Sequence, residues 1–377
     1  MTDTTRRTES IGSTPSLLMA LELSQRRWKL ASTSEATTTV RTRTIDAGDW
    51  RAFTEEVARA KARLGLRADA AVVTCYEAGR DGFWIHRALT RLGIKNVVLD
   101  ASSIEVPRRR RRVKTDRLDA IKLAHLLRRW VGGERCCRVV RVPSEAAEDA
   151  RRPGRARRTL VKTRTRLTNQ IKSALATVGA AAGSLRTLGD RLAQVVQWDG
   201  QPLPSELRAW VSDLVAQWTL CDRQVRALAQ TRRAVAEDAA TAEQVARLEA
   251  LRAIGPTTAD TLVFEAFGWR GFRNGREVGA VAGLTGTPAD SGDRRHEQGI
   301  SKARVPALRH VAIELAWSWL RYQPRRELSQ WYQRRFGSGG PRARRIGIVA
   351  LARKLLIALW RYATTGVVPA GAALRAP

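Results

Sequence analysis

Residues 16–33 read SLLMALELSQRRWKLAST, which is an apolar run, a short polar turn and a second run that is partly apolar. The first run, residues 16–23, is nearly continuous in hydrophobic character, and this predicts a buried strand. The second run, residues 28–33, has the length of a strand and follows a turn-forming polar segment, so the two runs predict an antiparallel hairpin. We expect this hairpin to begin a sheet.

The chain beyond the hairpin alternates between helical and strand patterns. Helices are predicted at residues 50–64, 81–92 and 116–130, and short strands at residues 70–75 and 96–100. Strands that alternate with helices imply a mainly parallel or mixed sheet covered by helices. Pro143 marks the end of this region. The sequence therefore predicts an α/β domain at residues 17–142, preceded by a disordered tail at residues 1–16.

The middle region, residues 143–243, is predicted to be nearly all helical, with a heptad pattern. Positions that keep a regular alternation of four and three residues are Leu207, Val211, Leu214, Trp218, Cys221, Val225 and Leu228, and the pattern continues to Ala242 with one interruption. Such a register is typical of a coiled coil. It is compatible with a helical hairpin inside one subunit and with an arm that joins subunits into a dimer or tetramer.

The charge of the chain points to a polyanionic partner. Sixty-seven Lys and Arg residues against 36 Asp and Glu give a net charge of +31 over 377 residues, with a pI near 11.5, and this favours nucleic acid. The alternative is a solvated basic surface. The four cysteines lack CxxC spacing, which argues against a zinc site. No apolar run is long enough for a membrane span, so a cytoplasmic, nucleoid-associated protein is expected.

Four carboxylates of the α/β domain stand out by position. Glu22 lies on the first strand, Glu77 follows a buried strand, and Asp116 and Asp119 share one face at the start of a helix. A carboxylate on a buried strand is costly unless a cation satisfies it, and carboxylate oxygens suit Mg²⁺. Each residue taken alone also has an ordinary explanation, as a helix-terminal charge, a turn cap or an exposed edge residue.

A run of basic residues directly precedes Asp116. Its members are Arg108, Arg109, Arg110, Arg111, Arg112 and Lys114. Beside an acidic site this run is expected to hold phosphates that enter the site. The alternative is a basic loop without a specific contact.

Three segments of this domain resemble the DEDD transposases of the insertion-sequence-110 family. They are MALELSQRRWKLA, CYEAGRDGFWIHRAL and KTDRLDAIKLAHLL. The resemblance implies a RuvC-like, ribonuclease-H-type fold in which Glu22, Glu77, Asp116 and Asp119 bind the metal. The family usually has Asp at the first position, where this chain has Glu22.

The last region, residues 244–377, resembles the second conserved domain of the same transposases and is predicted to be mainly helical. The matching elements are IGP at 254–256, GL at 283–284, SG at 291–292 and GISK at 299–302. In that family a serine of this domain forms a covalent link to DNA, and Ser291 matches it better than Ser301. Lys302 is expected to contact phosphate, as are Arg342, Arg344 and Arg345, which accompany the apolar face Ile348, Leu351, Leu355 and Leu356.

The charge and the carboxylates, taken with what the resemblance implies, therefore predict a DNA transposase or recombinase that uses Mg²⁺ and a serine nucleophile. The resemblance further implies that DNA is recognised through a structured noncoding RNA of the element. One alternative is a Mg²⁺-dependent junction or ribonuclease-H-type nuclease that only hydrolyses. Another is a noncatalytic scaffold that binds nucleic acid.

Overall fold

The computed structural model describes residues 15–104, 116–231, 239–288, 297–302 and 305–375. Internal contacts divide the chain into two compact units, Met1–Val142 and Pro143–Pro377. The predicted tail lies outside the described residues, except for its last two positions.

The first unit contains a five-stranded mixed sheet. Its strands are β1 (Leu17–Leu23), β2 (Arg27–Ser34), β3 (Thr37–Asp46), β4 (Val72–Glu77) and β5 (Lys95–Leu99), in the order β3-β2-β1-β4-β5. The predicted hairpin is confirmed, because β1 pairs with β2 in antiparallel register. The pairs β1–β4 and β4–β5 are parallel, so β1, β4 and β5 end at one edge of the sheet. We call this edge the carboxyl edge.

Helices cover both faces of the sheet. Helices α1 (Trp50–Arg63) and α2 (Trp84–Arg91) share a buried core with Leu17, Met19 and Leu21 of β1. Helix α3 (Asp116–Val131) shares a separate core with Leu18 and Ala20. This division follows from the alternation of side chains along a strand, which sends successive residues of β1 to opposite faces.

The edge strand β3 was not predicted from the sequence. Its sequence TTTVRTRTID carries few apolar residues, and only Ile45 is buried. An edge strand needs little apolar surface, and exposed charges such as Arg41 and Arg43 protect its open side from pairing with other chains. Apolar patterning therefore gave no sign of β3.

The second unit begins with four helices, α4 (Glu145–Asp149), α5 (Arg152–Ala176), α6 (Leu185–Arg191) and α7 (Ser205–Thr231). Helices α5 and α7 pack together around one core, to which α7 contributes Val211, Leu214, Trp218 and Cys221. The indole of Trp218 also donates a hydrogen bond to Thr168 Oγ1 at 2.9 Å. The predicted heptad seam is thus occupied within one chain from Leu207 to Cys221, as in the hairpin interpretation. The part of the pattern at residues 232–238 lies outside the described residues.

Leu214→Ala is expected to lower the free energy of unfolding of this hairpin by about 2–5 kcal/mol, because it leaves a cavity between packed helices. Leu214 is buried, whereas Leu220 on the same helix is 45% exposed, so Leu220→Ala is the matched control and should cost less than about 1 kcal/mol. Urea unfolding followed by helical circular dichroism measures both. Equal losses in the two variants would show that the seam is not a core.

The rest of the second unit is mainly helical, as predicted. Its helices are α8 (Ala239–Glu249), α9 (Pro256–Leu262), α10 (Gly275–Val281), α11 (Pro306–Tyr322), α12 (Glu327–Tyr332) and α13 (Pro341–Thr365). The apolar face predicted for the last helix is confirmed, because Ile348, Leu351, Leu355 and Leu356 are all buried. A two-stranded hairpin of β6 (Gly286–Pro288) and β7 (Glu297–Ile300) was not predicted. Among the described residues, no helix is both long enough and apolar enough to cross a membrane.

A buried carboxylate connects α5 to the helical segment that follows α9. Glu265 is 3% exposed and accepts hydrogen bonds from Arg155 Nη2 at 3.1 Å and from Arg158 Nη2 at 2.5 Å. Burial by itself raises the pKa of Glu265, but the hydrogen bonds and charges of the two guanidinium groups outweigh this effect. The pKa of Glu265 therefore lies below its ordinary value, and the ionised form is the one the fold favours.

Glu265→Gln is expected to lower stability by about 1–3 kcal/mol at pH 7, because it removes the charge that two arginines share. A lowered pKa stabilises the fold above the ordinary value of 4.5, and this stabilisation is lost as the pH falls through the pKa of the folded state. The deficit of the variant should therefore shrink toward acid pH in unfolding curves. Glu243→Gln, an exposed partner of Arg247, is the control, and a deficit that does not change with pH would contradict the assignment.

Candidate active site

Two of the four predicted metal ligands lie on neighbouring strands at the carboxyl edge. The last residues that pair β1 with β4 are Leu21 and Tyr76. The residue that follows is Glu22 on β1 and Glu77 on β4. Parallel strands are separated by about 4.8 Å, so this register sets the two glutamates side by side along the sheet. Glu22 and Glu77 are neighbours only because the sheet pairs two strands that are more than fifty residues apart in the sequence.

Both glutamates continue the sheet face that α3 covers. Ala20 of β1 and Cys75 of β4 lie two residues earlier on their strands and belong to the core shared with α3. Because side chains alternate along a strand, Glu22 and Glu77 follow on the same face. Glu22 is half-buried and Glu77 is exposed, as expected where a strand emerges from the core.

The other two predicted ligands lie on the first turn of α3. Asp116 is the first residue of the helix and is exposed, whereas Asp119 is 22% exposed. The next turns of α3 are fixed to the sheet, because Ala120 and Leu123 are buried and the Leu123 carbonyl accepts a hydrogen bond from Cys75 Sγ at 3.7 Å. The four carboxylates therefore belong to a strand pair and to the helix that covers it.

The charged surroundings of these carboxylates differ from one to another. Asp119 Oδ1 lies 2.9 Å from Lys122 Nζ. Lys29 is opposite Glu22 on β2, and its ammonium donates a hydrogen bond to Thr44 Oγ1 at 2.5 Å. Within the described part of the chain, no hydrogen bond or ion pair involves the Glu77 carboxylate. Nearby, burial raises the pKa of the Cys75 thiol well above its ordinary range, so this cysteine is a neutral core residue.

These residues suit a hard divalent cation by their chemistry. All four are carboxylates, and Mg²⁺ takes oxygen ligands from one or two carboxylates together with water and phosphate oxygens. Among the residues that the structure describes, no three or more His, Cys, Asp or Glu side chains gather closely enough to form a ready metal cluster. The structure thus brings Glu22 and Glu77 together on the sheet, and does not draw all four carboxylates into one group.

Two further charged residues, Lys122 and Asp100, lie in this region and were not predicted from the sequence. Lys122 pairs with Asp119, and its spacing of three residues on a helix was the available signal. Asp100 directly follows β5, so it also belongs to the carboxyl edge. Its Oδ2 is 3.5 Å from Arg138 Nε. The basic run predicted to contact phosphate, Arg108 to Arg112 with Lys114, lies outside the described residues.

The predicted residues of the last region are placed only in part. Ser291 lies outside the described residues, in the connection between β6 and β7. Ser301 and Lys302 follow β7 and are exposed; their amides donate to the carbonyls of Thr285 at 3.0 Å and Gly283 at 3.3 Å. Lys302 has a left-handed backbone with φ of 53°, which is uncommon for a residue other than glycine and is found at functional loops.

The predicted basic residues of α13 are exposed on its first two turns. Arg342, Arg344 and Arg345 are accessible to solvent, and Arg344 Nε donates to the Gly339 carbonyl at 3.0 Å. Beyond them the helix turns its apolar face to the core, beginning with Ile348. The start of α13 therefore presents a basic surface on a rigid helix.

Two family models match the chain. One, described as a transposase of the IS116/IS110/IS902 family, matches residues 245–332. The other, a model of the DEDD transposases of IS110, matches residues 24–179. The first covers α9 to α12, and the second covers most of the sheet together with α5.

Two proteins with sequences similar to this chain are named as transposases. The chain is 39% identical over 379 residues to "Putative transposase y4rJ" of Sinorhizobium fredii, an alignment that covers 96% of this chain and 95% of that protein. It is 27% identical over 303 residues to the transposase for insertion sequence element IS1533 of Leptospira borgpetersenii, with 76% and 79% of the two chains covered.

Proposed function

The chain belongs to the IS110 family of transposases, and from this premise we propose that it cuts and rejoins the DNA strands of a bacterial insertion sequence with Mg²⁺ and a serine nucleophile. The observation that carries the proposal is the register of β1 and β4, which puts Glu22 beside Glu77 on the face covered by the helix of Asp116 and Asp119. We assign residues 17–142 to a RuvC-like metal-binding domain, 143–243 to a helical region and 244–377 to the domain of the serine.

The carboxylates are proposed to hold the metal, and the basic residues to hold the DNA. When bound, Mg²⁺ would activate a nucleophile and stabilise the oxygen that leaves the phosphate. Glu22 and Glu77 are carried by the sheet, whereas Asp116 and Asp119 are carried by the first turn of α3, which packs on the same face of that sheet. Asp119, whose Oδ1 lies 2.9 Å from Lys122 Nζ, would hold the metal in place of this ion pair.

Ser291 is proposed to attack the phosphorus of a DNA strand. Its Oγ forms a bond to phosphorus while one bridging oxygen of the DNA leaves, and the proton lost by the serine balances the proton gained by the leaving oxygen. A DNA hydroxyl then attacks the phosphoserine, which joins the strands and restores the serine. Because the phosphodiester energy is conserved in the covalent link, no further cofactor is needed for rejoining.

We propose that the protein binds nucleic acid through its basic residues. The net charge of +31 suits both DNA and a structured noncoding RNA, and we propose such an RNA as the guide that selects the DNA. Lys302, Arg342, Arg344 and Arg345 are proposed phosphate contacts, together with the basic run at 108–114. A homo-oligomer, dimer or tetramer, is proposed because strand exchange brings two DNA sites together, and the cytoplasmic nucleoid is the expected location.

Incubation with element-end DNA, target DNA and copurified RNA tests this function. The expected result is a Mg²⁺-dependent joined product that contains both DNAs, detected by sequencing across the junction. Products that are only nicked or hydrolysed would instead indicate a nuclease, and binding without any cleavage would indicate a scaffold.

A further inference from the structure

Three tryptophans from separate parts of the first unit form a cluster at the carboxyl edge. The ring centroids of Trp28 and Trp50 are 5.4 Å apart, those of Trp28 and Trp84 are 5.8 Å apart, and those of Trp50 and Trp84 are 5.9 Å apart. Trp28 is buried at 2% exposure, whereas Trp84 is 45% exposed. The cluster therefore has a buried base and presents one indole to solvent.

The position of Trp84 is fixed by the structure around it. The loop before α2 is held by a hydrogen bond from Tyr76 Oη to the Gly82 carbonyl at 3.0 Å. The helix itself is tied to the sheet by His86 Nδ1, which lies 2.8 Å from Asn96 Oδ1, and by Asn96 Nδ2, which donates to Thr74 Oγ1 at 2.9 Å. An aromatic ring supported in this way can accept a stacking partner with little loss of side-chain entropy.

Trp84 and Glu77 belong to the same connection between β4 and α2. The strand ends at Glu77 and the helix begins at Trp84, so both lie at the carboxyl edge. The core of α2 is on the opposite face of the sheet from the core of α3. A strand of nucleic acid that passes over this edge would therefore meet the tryptophan on one side and the carboxylates on the other.

The segment that carries Trp84, residues 77–91, has three arginines, Arg80, Arg87 and Arg91, against two carboxylates, Glu77 and Asp81. Arg87 and Arg91 follow it at spacings of three and seven residues and so lie on the same face of α2. Arg80 in the preceding loop is 63% exposed, and its guanidinium lies 3.9 Å from Asp81 Oδ1. An exposed indole beside guanidinium groups is the combination that single-stranded nucleic acid binds, by base stacking and phosphate contact.

We propose that Trp84, supported by Trp28 and Trp50, is a stacking site for an unpaired base of the nucleic acid held at the carboxyl edge. The proposal rests on the proposed function, because the strand to be cut must lie at this edge. Stacking on Trp84 would fix the register of that strand relative to Glu77. Trp84 is accordingly a substrate-binding residue that recognises an unpaired base without reading its sequence.

Binding of single strands that carry 2-aminopurine at successive positions tests the stacking site. The experiment uses the full chain in EDTA, so that no strand is cut, with separate DNA and RNA oligonucleotides to identify which strand is stacked. We expect wild-type protein to quench the fluorescence at one position. Trp84→Ala should abolish that quenching and weaken binding about ten-fold or more, whereas Trp84→Phe should retain much of both. Duplex DNA should bind the wild type and Trp84→Ala alike.

Trp198→Ala is the matched control, because Trp198 is 80% exposed in the second unit, and it should leave the quenching unchanged. Full quenching and affinity in a folded Trp84→Ala protein would overturn the proposal. A change of oligomer mass in that variant with unchanged nucleic-acid binding would also overturn it, since the indole would then be a protein contact. Strand joining in Mg²⁺ is measured separately, so loss of the stacking site and failure of the proposed transposase chemistry give different results.

Discussion

Asp119→Asn is expected to abolish strand cleavage and to leave binding of DNA and RNA nearly intact. The substitution keeps the shape of the side chain but removes the charge that a divalent cation requires. Loss of a single outer-shell partner of a metal already costs about 10–100-fold, so loss of a direct ligand should exceed that range. Binding survives because phosphate contacts come from Arg and Lys. Cleavage of supercoiled element DNA and a filter-binding titration measure the two properties.

The ion pair of Asp119 provides a control for this experiment. Asp119 Oδ1 is 2.9 Å from Lys122 Nζ, so a purely structural role of Asp119 would be lost equally in Lys122→Gln. We expect Lys122→Gln to keep cleavage, and raised Mg²⁺ to leave Asp119→Asn inactive. Cleavage at the wild-type rate by Asp119→Asn would remove this residue from the metal site, while a parallel loss in both variants would assign it to helix stability.

The strands and helices with an apolar pattern were predictable from the sequence, whereas the polar edge strand β3 was not. The hairpin of β1 and β2 and the three covering helices follow from apolar runs and helical periodicity. Strand β3 was missed because an edge strand is stabilised by pairing with β2 and needs almost no apolar surface. The hairpin of β6 and β7 was missed for a similar reason, since each strand is only three or four residues long.

The sequence proposes the residues of the candidate site, and their roles stay a prediction, but it does not contain their geometry. Glu77 and Asp119 were proposed from their positions beside a strand and on a helix, whereas the register that sets Glu22 beside Glu77 is a long-range property of the sheet. Likewise, no local pattern relates Trp28, Trp50 and Trp84, which meet only in the folded chain.

The heptad pattern of α7 shows why periodicity does not identify a partner. A repeat of four and three residues reports that one helix face is buried, but it is the same whether the neighbouring helix belongs to the same chain or to another. Here Leu214 and Trp218 pack against α5 of the same chain. The exposed residues of α7, such as Trp210 and Leu220, fall outside the seam that the pattern identified.

Ser291→Ala is expected to eliminate both the covalent protein–DNA adduct and the joined product. The methyl group of alanine cannot attack phosphorus, so without the serine only water or a DNA hydroxyl remains as a nucleophile. Metal binding and nucleic-acid binding should be unchanged, because they depend on other side chains. Denaturing gels with labelled DNA measure the adduct, and sequencing of junctions measures the product.

Ser301→Ala is the matched control, because Ser301 is the neighbouring serine of the same region and its amide, not its hydroxyl, is fixed by the Thr285 carbonyl at 3.0 Å. This variant should still form the adduct, with a lower yield if Lys302 needs the local backbone for a phosphate contact. Digestion of the trapped adduct and mass spectrometry of the DNA-linked peptide then identify the nucleophile directly. A DNA link at Ser301 would show that the nucleophile is Ser301, at the end of β7. Joined product without any adduct would show that a DNA hydroxyl, activated at the carboxylates, carries out strand transfer.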